Sequence, residues 1–310
     1  MSDAYAVPSS PSVAAKYAAW KPTKKERGFV ADVLIRLVKY KPLGLIGGII
    51  LLILLFAGIF ASVLAPYGYN DMSLAARLSP PSTAHWLGTD NNGRDVLSRV
   101  IYGAQISLTV GMAGAVLHLI VGFGVGATSG FYGGKFDTLI QRVVDGIQAF
   151  PSLLLYLTIM SIVGGSLVAL ILVLGISSGI YGSRTIRSAV FGIRGNTYVE
   201  AANALGSSRA RTLIRHILPN VVPILIIEFT LAVGRLILAE AILSFLGFGV
   251  PPPFPSWGGM LSNSGQRYML QAPWMALWPG VALALAVFSI NMLGDALRDL
   301  LDPRLRSSTI

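Results

Sequence analysis

Between Pro42 and Pro66 the chain runs for 23 residues, Leu43–Ala65, without one charged side chain. A helix rises about 1.5 Å per residue, so this run is about 35 Å long, enough to cross a hydrocarbon core of about 30 Å. Whatever else the chain does, it is built in a bilayer. The rest of the sequence agrees: 54% of its 310 residues are hydrophobic and 12% charged, against about a quarter charged in a soluble domain. The length is spent on membrane spans rather than on one water-soluble core.

Further apolar runs predict spans over 101–127, 139–163, 167–188, 221–246 and 276–293, making an all-α membrane protein of six helices. The second is rich in glycine (Gly103, Gly111, Gly114, Gly122, Gly124, Gly126). Small residues let helix backbones approach closely in lipid, which puts this span inside the bundle. The third carries Arg142 and Asp145 near its start and Pro151 within it. The expected division is a cytoplasmic segment 1–42, a first span 43–65, an extracytoplasmic loop 66–100, a core 101–300 and a cytoplasmic tail 301–310. Basic residues 27–39 suit a short amphipathic helix on the membrane surface, and the first twenty residues read equally well as a solvated tail. The polar first 42 residues and the length of the first apolar run argue against a cleavable signal.

Six spans put both termini on one side. On that side the N-terminal segment carries 8 Lys/Arg, residues 129–142 carry 2, residues 184–215 carry 6 and residues 295–310 carry 3. The opposite side has Arg77, Arg94, Arg99 and Arg267, and Arg235 lies within the fifth span. This imbalance places the termini and the 184–215 region in the cytoplasm. The net charge of +10 is therefore topological and does not point to nucleic acid.

One polar stretch interrupts the spans: "RGNTYVEAANALGSSRARTLIRHILPN", residues 194–220. Thr197-x-x-Glu200 reads as a capping box, with Tyr198, Ala201, Ala202 and Leu205 on one helical face. Gly206 is placed to end that helix by a left-handed turn. Ser207 or Ser208 then caps a second helix bearing Arg209, Arg211 and Arg215, which Pro219 should stop. On residues alone this is either a docking surface or an ordinary loop made basic for topology.

The pattern Glu200-Ala201-Ala202, Gly206 and Leu218-Pro219 resembles the EAA loop of ABC importer permeases. The general motif has isoleucine where this chain has His216, and "RHILPN" instead resembles the branch that imports peptides and nickel. "HWLGTDNNGRDVLSR" at 85–99 and "AEAILSFLGFGVPPPFPSWGGML" at 239–261 are similar to the C-type permease subunit of that branch. The resemblance covers the chain from about residue 30 onward. It implies a type I ABC importer permease fold in a bacterial or archaeal plasma membrane. It further implies a homologous second permease subunit, two cytoplasmic ATPase subunits that use ATP and Mg, and an extracytoplasmic substrate-binding protein. The chain itself would bind no cofactor. Carried over, the coupling element is roughly Thr197–Arg211, centred on Glu200, Ala201, Ala202 and Gly206. Dipeptides, longer peptides, nickel chelates and glutathione-like compounds are all within such importers' range.

The fifth span holds Glu228, Arg235 and Glu240, each costly if it faced lipid. Glu228 and Arg235 share a face but lie about 10.5 Å apart along the axis, so a direct pair needs both side chains stretched. Two readings stand: buried, paired groups that fix helix packing, which is favoured, or contacts to a translocation path or partner subunit. His118 reads as a packing or hydrogen-bonding group.

Other classes of function lack their residues. "SGFYGGKF" lacks the first glycine and the Ser/Thr of a phosphate-binding loop, so ATP hydrolysis is not expected here. His85, His118 and His216 are scattered, which argues against a metal site. The absence of cysteine excludes disulfides and thiolate-held metals. An ion-coupled secondary transporter or channel is the competing class, and neither the inverted repeats such carriers often show nor a use for the cytoplasmic helix pair supports it. No nucleophile–base arrangement for an intramembrane enzyme is evident.

Overall fold

The computed structural model describes residues 29–301. The expected solvated tail before residue 29 and the end of the expected C-terminal tail, from residue 302, lie outside the described residues. Within them the chain is helical, with one isolated β-bridge between Thr89 and Asp95.

A short helix, α1 (Phe29–Tyr40), precedes the first span, α2 (Pro42–Ile59), which a further turn, α3 (Ala61–Leu64), prolongs. Leu43, Ile46, Ile49, Leu52, Ile53 and Phe56 of α2 are all exposed. In water such a stripe would be an aggregation site, whereas against lipid tails it costs nothing. The other side of α2 lies on the last long helix, α13 (Trp274–Leu301), and Lys41 pairs with Asp299 where the two meet. The start of the first span and the end of the last are thus neighbours.

The second span is α4 (Val96–Tyr132). It starts five residues earlier than the apolar run because Asp95 caps it, accepting the Ser98 amide at 2.8 Å. At 37 residues it is about 55 Å long and overshoots the hydrocarbon core. It packs most intimately against α7 (Leu167–Arg194). A methyl group at Gly126 would sit 2.2 Å from the Ser183 carbonyl oxygen, so only glycine permits that approach.

The third span departs from expectation. The 139–163 run is not one helix but two, α5 (Gly134–Gln148) and α6 (Ser152–Val163), bent by 82°. Pro151 has no amide proton and its ring clashes with the carbonyl four residues back, so the helix breaks there. With the end of the bundle that carries residues 194–220 labelled inner and the opposite end outer, the α4–α5 turn at Gly133 abuts Arg194 at the inner end of α7, and Gly165 beyond α6 abuts Gly249 past the outer end of the fifth span. The bent pair therefore traverses the bundle as a broken sixth span beside five continuous ones.

After α7 come α8 (Thr197–Ala204), α9 (Arg209–Thr212), a π-turn (Leu213–Ile217) and α10 (Leu218–Phe245). Two short outer helices, α11 (Trp257–Leu261) and α12 (Asn263–Arg267), lead to α13. The main apolar core joins α2, α4, α6, α7, α10 and α13 through residues such as Leu51, Leu108, Met160, Leu174, Leu236 and Ala286.

Candidate functional site

At the inner end, α8 begins at Asn196, whose carbonyl accepts the amides of Val199 (2.9 Å) and Glu200 (3.2 Å). Thr197 is already the first helical residue and the cap makes no side-chain bond, so the expected capping box does not form. Glu200 instead stands exposed in the first turn, where its charge suits the positive end of the helix. The far end is as the sequence predicts. Gly206 takes φ +81°, with Ser207 N–H bonded to Ala202 O and Gly206 N–H to Asn203 O, both at 3.0 Å. That pair of bonds is a Schellman closure. Ser208 caps α9 by accepting the Arg211 amide at 3.4 Å, and Thr212 donates to Asn203 Oδ1 at 3.1 Å, tying α9 back to α8.

Pro219 does not stop this second helix. The wide turn 213–217, closed by Leu218 N–H to Leu213 O, carries the chain past the proline into α10 without a gap. Asn220 Nδ2 donates to the His216 carbonyl at 2.7 Å. Arg209 lies over the Tyr132 ring at 5.5 Å from its centroid.

The helix pair is seated by one apolar cluster. Val199 of α8, Ile217 and Val221 are fully buried together with Ala127 of α4 and Ile186 and Val190 of α7. On the other face Tyr198 and Ala201 are exposed and Leu205 is 89% exposed, while Ala202 is half-buried. The unit is thus rooted in three spans and presents an uncovered face.

At mid-bundle, Arg235 NH2 and His118 Nε2 each lie 3.6 Å from Glu228 Oε2. His118 is fully buried and its Nδ1 meets Ser178 Oγ at 2.9 Å. The stretched pair expected from a seven-residue spacing therefore exists. Only Glu228 is enclosed, however: the Arg235 side chain is 56% exposed, against the expectation that both are buried. The longer side chain lies along the open cavity between α6, α7 and α10, reaching back to Glu228 while its head stays exposed. Both line a cavity of about 450 Å³ with Ser152, Tyr156, Ser178, Tyr181 and Thr185.

Glu240 is elsewhere. It is 0% exposed and accepts from Ser107 Oγ (2.9 Å) and Ser244 Oγ (2.6 Å), joining α4 to α10 away from that cavity. Ser107 Oγ in turn accepts the Trp257 amide at 3.3 Å, and Trp257 Nε1 donates to Val100 O at 3.0 Å. Near the inner end Asp145 pairs with Arg142 and Arg184.

The outer motif at 85–99 folds on itself. Arg94 Nε donates to Asp90 Oδ2 at 2.7 Å, Arg99 donates to Tyr69 O at 2.8 Å, and His85 Nδ1 meets Asp95 Oδ1 at 3.0 Å. Trp274 Nε1 donates to Thr89 O at 3.0 Å. These motif residues serve the fold of this chain.

The sequence does not announce the His118–Glu228 contact, which joins residues 110 positions apart, or the cavity walls, which come from three separate helices. The one available signal is that both are polar and lie in apolar runs. Among the described residues no group of three metal-ligating side chains occurs.

A helical bundle with five continuous spans and a broken sixth, a cavity at its middle holding an Arg–Glu pair and a loop docked across three inner helix ends defines a membrane transport permease. Residues 119–307 match the family described as binding-protein-dependent transport system inner membrane component, and residues 28–81 match the N-terminal TM domain of oligopeptide transport permease C. The chain belongs to that inner-membrane-component family. It is 40% identical over 301 residues to the dipeptide transport system permease protein DppC of Alkalihalophilus pseudofirmus, covering 97% of this chain and 96% of that one. It is 37% identical over 286 residues to the oligopeptide transport system permease protein OppC of Bacillus subtilis, covering 92% and 93%. Its fold is similar to a chain of the inward-facing MetNI methionine ABC transporter, with TM-score 0.53, 18% identity, and coverage of 66% of this chain and 96% of the other.

Proposed function

We propose that this chain forms half of the translocation path of an ATP-driven importer for peptides or closely related small cargo, and that ATPase subunits drive it through the α8–α9 loop. A homologous permease would supply the other half, two cytoplasmic ATPase subunits would use ATP and Mg, and an extracytoplasmic binding protein would deliver cargo. The observation that carries the reading is the seating of α8. Val199 is locked into the inner ends of α4, α7 and α10 while Tyr198, Ala201 and Leu205 stay uncovered. An apolar face at a membrane protein's polar end marks a partner surface. A push on that face would pass into three spans at once, because close-packed interiors transmit strain.

The distribution of Lys and Arg supports a cytoplasmic position for this loop and for both termini. The cargo reading rests on the dipeptide and oligopeptide permeases to which the chain is similar over nearly its full length.

Reconstitution tests this. The chain, its companion permease, the ATPase and the binding protein encoded with it are assembled in proteoliposomes. A mixed tripeptide pool is then offered with and without ATP. Uptake that requires ATP and every component is the expected result. Uptake by this chain alone under an ion gradient would refute the reading.

A further inference from the structure

The midplane cavity has more in it than a packing pair. Glu228 is the enclosed member, approached by the buried His118 and by Arg235. Arg235 is 3.6 Å from that one carboxylate oxygen and its guanidinium carries five donors, a fork that matches a carboxylate in two-point contact. A charge exposed at the middle of a membrane helix is expensive unless it faces water or cargo.

The rest of the cavity wall points the same way. It lies at the elbow of the broken span, since Ser152, the first residue of α6, lines it. Tyr181 holds the elbow by donating to the Phe150 carbonyl at 2.6 Å, and Gln148 Nε2 donates to Tyr181 O at 3.2 Å. Broken backbone at membrane depth is tolerated where it lines a polar cavity, and such breaks accompany cargo sites at the midplane. α6 starts at Pro151 without a side-chain cap, so the positive end of that helix is open on the same side as Arg235. Among the described residues Arg235 has Glu228 as its ion-pair partner and a largely exposed head, which leaves donors for an anionic group in a cavity walled by aliphatic side chains as well as by Ser152, Tyr156, Ser178, Tyr181 and Thr185.

From this, and resting on the importer reading above, we propose that Arg235 is the cargo-carboxylate contact of the permease, held in position by Glu228 and His118. The cargo class it fits is a small molecule with a free carboxylate, such as a peptide bearing an unmodified C-terminus.

The test uses the complete importer in proteoliposomes, with tripeptides offered as free acids and as C-terminal amides and internal peptide read by mass spectrometry. Arg235→Gln should lower the maximal uptake rate of the acids roughly tenfold or more, with half-saturation unchanged and all partners still co-purifying. Arg235→Lys, which keeps the charge but loses the fork, should fall between the two. Glu228→Gln should shrink the acid-over-amide preference of wild type, an effect that a purely structural role would not produce. Uptake of acids by Arg235→Gln within twofold of wild type would overturn the assignment. So would loss of the companion permease from that variant, which would make Arg235 an interface residue. Failure of the wild-type importer to take up any peptide would instead refute the cargo reading itself, and this assignment with it.

Discussion

The two ends of the bundle use their polar motifs in opposite ways. At the outer end Asp90, Arg94, Asp95 and Arg99 are all buried and bonded to one another or to backbone of the same chain. Trp257 fills the space between α4 and α10 with nothing exposed. At the inner end Glu200, Ala201 and Gly206 are exposed, Leu205 is almost fully so, and Val199 is the one fully buried residue of α8. A sequence motif can thus persist because the chain needs it for its own fold, or because something outside the chain reads it. Burial separates the two cases here. The outer motif is a clasp, and on the proposed function the inner one is a handle.

Substitutions at the two ends should divide stability from transport accordingly. Trp257→Ala, at the outer end, removes a fully buried ring and the indole hydrogen bond to Val100 O, and should cost about 3–5 kcal/mol, read as a loss of heat resistance of the detergent-solubilised chain. Asp95→Ala removes the cap of α4 and the partner of His85 together, and should cost about 2 kcal/mol by the same assay. At the inner end Gly206→Pro cannot take φ +81° and loses the bond to Asn203. It should mis-set the helix pair and abolish ATP-driven uptake, yet leave membrane insertion intact, with the strain confined to the α8–α9 turn. Leu205→Ser should move stability by less than about 0.5 kcal/mol while lowering uptake several-fold. If Trp257→Ala spared stability, or Leu205→Ser spared uptake, the division between clasp and handle would fail.

Much of this was legible from the residues. The uncharged 43–65 run is the first membrane helix, and Gly206 ends α8 in the left-handed turn its position demands. The start of α8 was not legible, because Asn196 and Thr197 are both good caps and only the backbone decides which stays outside the helix. Hydropathy carries no direction, so the 139–163 run reads as one span although Pro151 bends it by 82°. Pro219 reads as a stop because a proline forbids an ordinary α-turn before it, and a sequence does not reveal that the turn has widened. The cavity depends on three helices meeting, which no local pattern encodes. Arg235 reads as buried because a span implies enclosure, and what exposes it is the open cavity that it lines beside α6 and α7.

The central claim is that α8 is a handle for a nucleotide-driven partner. The chain has no cysteine, so Leu205→Cys creates a single thiol at the tip of that helix. Bifunctional crosslinking in native membranes should join position 205 to the ATPase subunit, with a yield that changes when ATP is trapped in the complex. Capture of no ATPase from an intact complex, or reaction of that thiol with an impermeant reagent applied from outside the cell, would contradict the account.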